Sequence, residues 1–246
     1  MVAGLAAMVV VGVVLQRSAG LGFAAILAPV AVLFLGPVDG VIVVNLLSVL
    51  STLLILPSVW SRVDWRRCAW IVALGIPGSL LGTALTVVLD RAWLEMAIGL
   101  ILLAGLLVTA LMPSARLEAE RPVLRAVSGA TAGFMSSAAG AGGPVILMYA
   151  TVAKWPFTVL AATLQPYFIV VSGLAFGAKI VIHPEAVFAL DLVGWVVIGT
   201  ALVVGAFTAH VLGGRIPVRV CRIIAFAIAS AGAAAALIRG VLAVAA

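Results

Sequence analysis

Apolar runs of about twenty residues alternate with short polar breaks along the chain. Six runs are clear: 40–58, 68–89 and 94–112 in the first half, and 157–178, 186–209 and 219–238 in the second. About twenty residues is the length a helix needs to cross the hydrocarbon core of a bilayer. Barrel strands are disfavoured, because they run near ten residues and alternate apolar with polar. The breaks read "SRVDWRR" (Ser61–Arg67), "DRAWLE" (Asp90–Glu95), "PSARLEAERPVLR" (Pro113–Arg125), "AKIVIHPE" (Ala178–Glu185) and "GGRIPVRVCR" (Gly213–Arg222).

Two further apolar stretches open the halves, Val2–Leu35 and Ala126–Ala153, and each is broken at its centre. The first carries "RSAGLG" (Arg17–Gly22), the second "SSAAGAGGP" (Ser136–Pro144). A continuous helix of about 34 residues would measure about 51 Å, too long for one crossing. Two full crossings need about 40 residues plus a turn. Two half-length helices meeting at a glycine-rich tip fit better, so each opening is expected to be a re-entrant or broken hairpin.

The halves also resemble each other. Gly20-Leu21-Gly22 lies 120 positions before Gly140-Ala141-Gly142, and the same offset relates Asn45 to Gln165, two amides inside apolar spans. Further on the offset becomes 123 and relates Gly82 to Gly205. These spacings predict an all-α polytopic membrane protein of two repeats, each a hairpin followed by three transmembrane helices. The boundaries are 1–112 for the first repeat, 113–125 for a central cytoplasmic loop and 126–246 for the second repeat.

Composition agrees: 65% of residues are hydrophobic and 9% charged, far from a soluble domain. The net charge of +6 would suggest nucleic acid in a soluble protein. Here the basic residues sit mostly in short loops, where they set orientation, and nucleic acid is not expected as a partner. With hairpin openings, Arg62, Arg66, Arg67, Arg116, Arg121, Arg125, Lys154, Arg215, Arg219 and Arg222 share one side, against Arg91, Lys179 and Arg239 on the other, ten against three. With single-crossing openings the split becomes eight against five. Positive-inside logic therefore favours hairpins, an inverted second repeat, and a multi-pass protein of the inner or plasma membrane. Inverted repeats whose broken helices meet at mid-membrane are a feature of secondary transporters.

The chemistry follows from the tips. The helices leaving them begin near Phe23 and Pro144 and aim unpaired N–H groups at the centre, which favours an anion. Glycine at 20, 22, 140, 142 and 143 permits close backbone approach. Arg17 would add a full positive charge, with hydroxyls from Ser18, Ser136 and Ser137. Against this stands an Arg17 that snorkels to the surface or meets a carbonyl; the expense of a charge in the membrane favours the binding role. Its counterpart at offset 120 is Ser137, so the site is expected to be asymmetric. Asn45 and Gln165 suit either substrate contact or interhelical bonding. The expected substrate-binding set is thus Arg17, Ser18, Gly20, Gly22, Asn45, Ser136, Ser137, Gly140, Gly142, Gly143 and Gln165.

The remaining candidates read as ordinary membrane features. His210, Asp191 and Glu95 lie near membrane entrances, where interfacial solvation accounts for them as well as proton relay does. The six tryptophans fall mostly at interfaces. Cys68 and Cys221 have no CxxC or histidine companion. There is no P-loop, HExxH or GxSxG, and no base near the serines for a hydrolytic triad. No enzyme, no metal and no cofactor is expected.

The stretches "SAGLGFAAILAP" (Ser18–Pro29) and "SSAAGAGGPVILMY" (Ser136–Tyr149), "GSLLGTAL" (Gly78–Leu85), the central basic-acidic loop and the two related halves together resemble the sulfite exporter TauE/SafE family. The resemblance covers nearly the whole chain. It departs at "AGLGF", where family members often carry a third glycine. It implies transport of a small sulfur-containing anion, such as sulfite, an organosulfonate or thiosulfate, in either direction. The expected partners are that anion and the lipid bilayer; the sequence leaves the oligomeric state open, a homodimer included. A passive anion channel and a non-transporting scaffold are the competing readings.

Overall fold

The computed structural model describes residues 2–19, 23–111, 122–212 and 218–245. Ten α-helices are described: α1 (Val2–Ala19), α2 (Phe23–Leu35), α3 (Pro37–Val59), α4 (Trp65–Val88), α5 (Arg91–Leu111), α6 (Pro122–Ala139), α7 (Gly143–Val152), α8 (Phe157–Ile182), α9 (Leu192–Val211) and α10 (Val218–Ala245). Short 3-10 turns follow α3 (Trp60–Arg62) and α8 (Pro184–Ala189). No strand occurs among the described residues. This is the all-α polytopic class the apolar runs predict.

Local chemistry sets the helix ends. Gly36, at φ +94°, stops α2, and Pro37 opens α3 with its ring already set for a first turn. Asp64 caps α4 by accepting the Arg67 N–H at 3.0 Å, and Asp191 caps α9 by accepting from Gly194 at 2.8 Å. The second cap corrects one predicted boundary. The run 186–209 does not begin as an α-helix, because Pro184 starts a 3-10 turn and α9 begins only behind Asp191. At the other end of that break, α8 does not stop at 178 but continues to Ile182, which draws Lys179 into the helix.

Helices pack where side chains are smallest. A Cβ on Gly78 of α4 would run into the Ala130 carbonyl, and one on Gly133 of α6 into the Gly75 carbonyl. On the opposite flank, Gly205 of α9 lies against Val10 and Val13 of α1. In α5 and α10, Gly99 faces the Leu237 backbone and Gly240 the Met96 backbone. Without a hydrophobic drive between helices in lipid, such close backbone approach supplies the packing. Large apolar side chains point outward instead: Leu81, Val88, Leu192 and Phe207 are all more than half exposed. Among the described residues, five helices are long and apolar enough to cross a membrane: Pro37–Arg62 (α3 with its 3-10 extension), α4, α8, α9 and Phe226–Val244 within α10.

The contacts repeat between halves. α4 packs along α6 as α9 packs along α1; α1 lies on α2 as α6 lies on α7; α3 meets α8, and α5 meets α10. Exchanging α1–α5 for α6–α10 maps these pairs onto one another, whereas α2 packs along α3 far more than α7 does along α8. Named contacts also sort the helix ends. Arg125, at the start of α6, and Tyr149 and Trp155, at and beyond the end of α7, line one cavity with Asp64, Arg66 and Arg67. The pair α6–α7 thus begins and finishes beside the start of α4. At the other end of the bundle, Gly36, Asp39, Thr86, Arg91, Ile182 and His183 line a second cavity.

Candidate functional site

Two helices begin at the centre of the bundle, facing a common cavity. Phe23, Ala24 and Ala25 from the first turn of α2, and Gly143 and Pro144 from the first turn of α7, line it together with Gln16, Ser48, Ala141 and Phe168. Three pairs among these, Phe23 with Gly143, Ala24 with Pro144 and Ser48 with Phe168, stand 120 positions apart. The duplicated spacing therefore converges on one place in space. The cavity holds about 10 Å³, room for about one water.

Its electrostatics follow from its walls. Helices of 13 and 10 residues present their N-terminal ends here, each equivalent to about half a positive charge. Gly140, at φ +74°, takes the left-handed backbone that lets the chain turn between α6 and α7. A Cβ on Gly142 would collide with the Ala132 carbonyl, so only glycine lets the turn lie this close to α6.

A polar network crosses the core beside the cavity. Gln16 Nε2 donates to Gln165 Oε1 at 3.1 Å, and Ser51 Oγ donates to Gln16 Oε1 at 3.1 Å. Gln165 Nε2 donates back to the Ala161 carbonyl at 2.9 Å. Asn45, Ser48 and Ser51 follow one another at three-residue steps on α3. Of these, Asn45 is fully buried, with neither amide atom hydrogen-bonded, and the Ser48 hydroxyl on the cavity wall is equally unpartnered among the described residues. Each orphaned group costs about 1–3 kcal/mol in a buried place. Orphans of this kind beside two converging helix ends are the polar capacity a ligand would use.

The residues expected from sequence fall into distinct places. Gly143 lines the cavity, and Gln165 sits in the network beside it. Ser136 Oγ lies 3.4 Å from Ser172 Oγ, and Ser137 Oγ lies 2.7 Å from Thr83 Oγ1. Gly20, Gly22 and the Ser18 side chain lie outside the described residues. Arg17 is not among the lining residues. Its guanidinium donates to Ser58 Oγ at 2.7 Å and lies 3.4 Å from His210 Nδ1, at the finishing ends of α3 and α9.

Four residues near the site escape the sequence reading. Gln16 hides beside the more conspicuous Arg17. Ser48 and Phe168 differ chemically, so only their 120-residue offset links them. Lys179, read as a loop charge outside the membrane, is 1% exposed, and its Nζ donates to the Ser137 carbonyl. Glu95 is also buried and meets Arg239 at 3.6 Å between α5 and α10, and neither lines the cavity.

Comparison with curated proteins and with solved structures finds no match. The family model described as Sulfite exporter TauE/SafE matches residues 4–236, from the first turn of α1 to the later turns of α10. The match takes in both halves, both glycine-rich breaks and every residue lining the central cavity. The chain belongs to the sulfite exporter TauE/SafE family of membrane transporters.

Proposed function

We propose that the protein is a secondary transporter that binds a small sulfur oxyanion between the N-termini of α2 and α7 and moves it by alternating access. One observation carries this reading: both halves of the chain send a helix N-terminus to the same cavity, whose wall carries the unpartnered Ser48 hydroxyl, with the orphaned Asn45 amide buried one helical turn away on α3. A pyramidal or tetrahedral oxyanion accepts hydrogen bonds on several sides, which suits two facing sets of backbone N–H groups and hydroxyls. A cation would be repelled by the same field.

On this reading α1–α2 and α6–α7 are re-entrant hairpins of two inverted repeats, 1–112 and 126–246, joined by a cytoplasmic loop at 113–125. The shared end of α6, α7 and α4 supports it, as does the correspondence of the α4–α6 and α9–α1 contacts. The basic loops would face the cytoplasm of a bacterial-type inner membrane or a plasma membrane. A cavity of about 10 Å³ is too small for sulfite, so on this reading the site widens to take the anion.

Reconstituted protein in liposomes tests the reading. Sulfite loaded inside should accelerate entry of labelled sulfite from outside, with saturation. Saturable flux without this trans-stimulation would identify a channel, and absence of any sulfite flux or binding would reject the reading.

A further inference from the structure

We infer that Lys179 is a second substrate-coordinating cation, serving the half of the transport route opposite Arg17; the inference rests on the transport reading above. Lys179 lies in the last turn of α8 and is almost fully buried. Its Nζ meets a neutral group, the Ser137 carbonyl, and among the described residues no carboxylate lies within ion-pair reach. Buried charges are normally matched by an opposite charge, because desolvating an ion is expensive. Capping a helix carbonyl alone does not call for a full charge at this depth, since a neutral donor would serve. Ionisable residues inside membrane segments mark substrate or ion pathways by default.

The position of its partner sharpens the point. Ser137 stands 120 residues after Arg17, so the two tips correspond at these positions. The first tip carries its own arginine. The second has a serine there, and a lysine from α8 brings the missing cation to it. The two cations sit toward opposite ends of the bundle: Arg17 beside Ser58 and His210, where α3 and α9 finish, and Lys179 one turn before His183, where α8 finishes. The central cavity lies between.

Polar side chains lie between that end and the buried lysine. Thr86, Arg91 and His183 line a cavity of about 280 Å³. One helical turn from Thr86, Thr83 Oγ1 lies 2.7 Å from Ser137 Oγ, on the residue whose carbonyl holds Lys179. An ammonium has three donors, and the Ser137 carbonyl takes one. When the α6–α7 tip moves away from α8, Nζ exchanges the carbonyl for an oxygen of the anion. Arg17, released from Ser58, does the same at the other end.

The test uses the full chain in proteoliposomes. Wild-type sulfite counterflow comes first; its absence would sink the transport reading itself and leave Lys179 without a role. Given wild-type flux, Lys179→Met should raise the sulfite KM at least about tenfold, the scale of one lost charge-assisted hydrogen bond. Lys179→Arg should recover part of the loss. A purely structural lysine would instead lower the melting temperature and leave KM unchanged, which overturns the inference.

A second measurement covers a Met variant that does not fold. Lys154 and Lys179 are the two lysines of the chain, and Lys154 is exposed. Acetylation of the wild-type protein by a membrane-permeant succinimidyl ester, read by mass spectrometry, should reach Lys179 slowly. Methanesulfonate should suppress it there but not at Lys154. Acetylation of Lys179 that is blind to the anion, or none at all during turnover, overturns the inference.

Discussion

The side-chain amide of Gln16 donates to Gln165 Oε1 at 3.1 Å, joining the last turn of α1 to the middle of α8 across 149 positions of sequence. Ser51 of α3 completes the link by donating to Gln16 Oε1. The bond couples a tip of the first half to the core of the second, beside the cavity that both halves line.

Breaking that link should leave a buried donor alone. Gln165→Ala is expected to destabilise the protein by about 1–3 kcal/mol and to weaken sulfite binding. The double change Gln16→Leu with Gln165→Leu should restore the melting temperature but not the transport, because both amides leave together and Ser51 Oγ keeps the Ser48 carbonyl as an acceptor at 3.0 Å. Thermal unfolding and counterflow on the same preparations separate the two effects.

Asn45 behaves oppositely on the transport reading. Its amide has no partner among the described residues, so Asn45→Leu should keep or raise the melting temperature while abolishing stabilisation by sulfite. Ser48→Ala should weaken binding in the same direction by about tenfold, the scale of one hydrogen bond at an apolar wall. A thermal-shift titration reads both. Anion-induced shifts of wild-type size in the two variants would remove the α3 stripe from the site.

The α4–α6 contact should tolerate no added carbon. Gly133→Ala drives a methyl into the Gly75 backbone and is expected to cost at least about 3 kcal/mol, the upper range of overpacking. Gly177, with open space around it, is the control: Gly177→Ala should be neutral or gain up to about 1 kcal/mol from helix propensity. Equal melting temperatures for the two variants would contradict the close crossing.

Gly140→Ala forces a side chain into a left-handed backbone, with Val44 Cγ1 3.1 Å from the new methyl. The strain is about 1–2 kcal/mol, and the turn that aims α7 at the cavity should shift. Maximal sulfite flux should therefore fall by more than the stability loss accounts for. Flux that tracks melting temperature alone would reduce Gly140 to a packing role.

Arg17→Gln separates its two uses. The bonds to Ser58 and His210 are partly solvent-exposed and should contribute under about 1 kcal/mol. Sulfite flux should nevertheless fall about tenfold if the guanidinium meets the anion during the cycle. Unchanged flux would leave Arg17 as an anchor for the ends of α3 and α9.

Much of this was legible before any coordinates. Apolar run length alone determines that the chain is helical and crosses a membrane, because in hydrocarbon the backbone must satisfy its own hydrogen bonds. The glycine-rich breaks and the 120-residue offset mark where helices stop and which positions correspond, since glycine and proline act locally on torsions. What only the tertiary structure decided is which side chains meet. Lys179, four residues before a His-Pro break, reads as a solvated loop charge until α8 continues past it and turns the amine onto Ser137. Gln16, Ser48 and Phe168 carry no signal of their own, and only the convergence of α1, α3 and α8 sets them around one cavity. Arg17 is conspicuous in sequence, yet its partners come from the far ends of α3 and α9. Periodicity reports the face and depth of a residue within its own helix, whereas contacts across 41 to 193 positions depend on how separate helices pack.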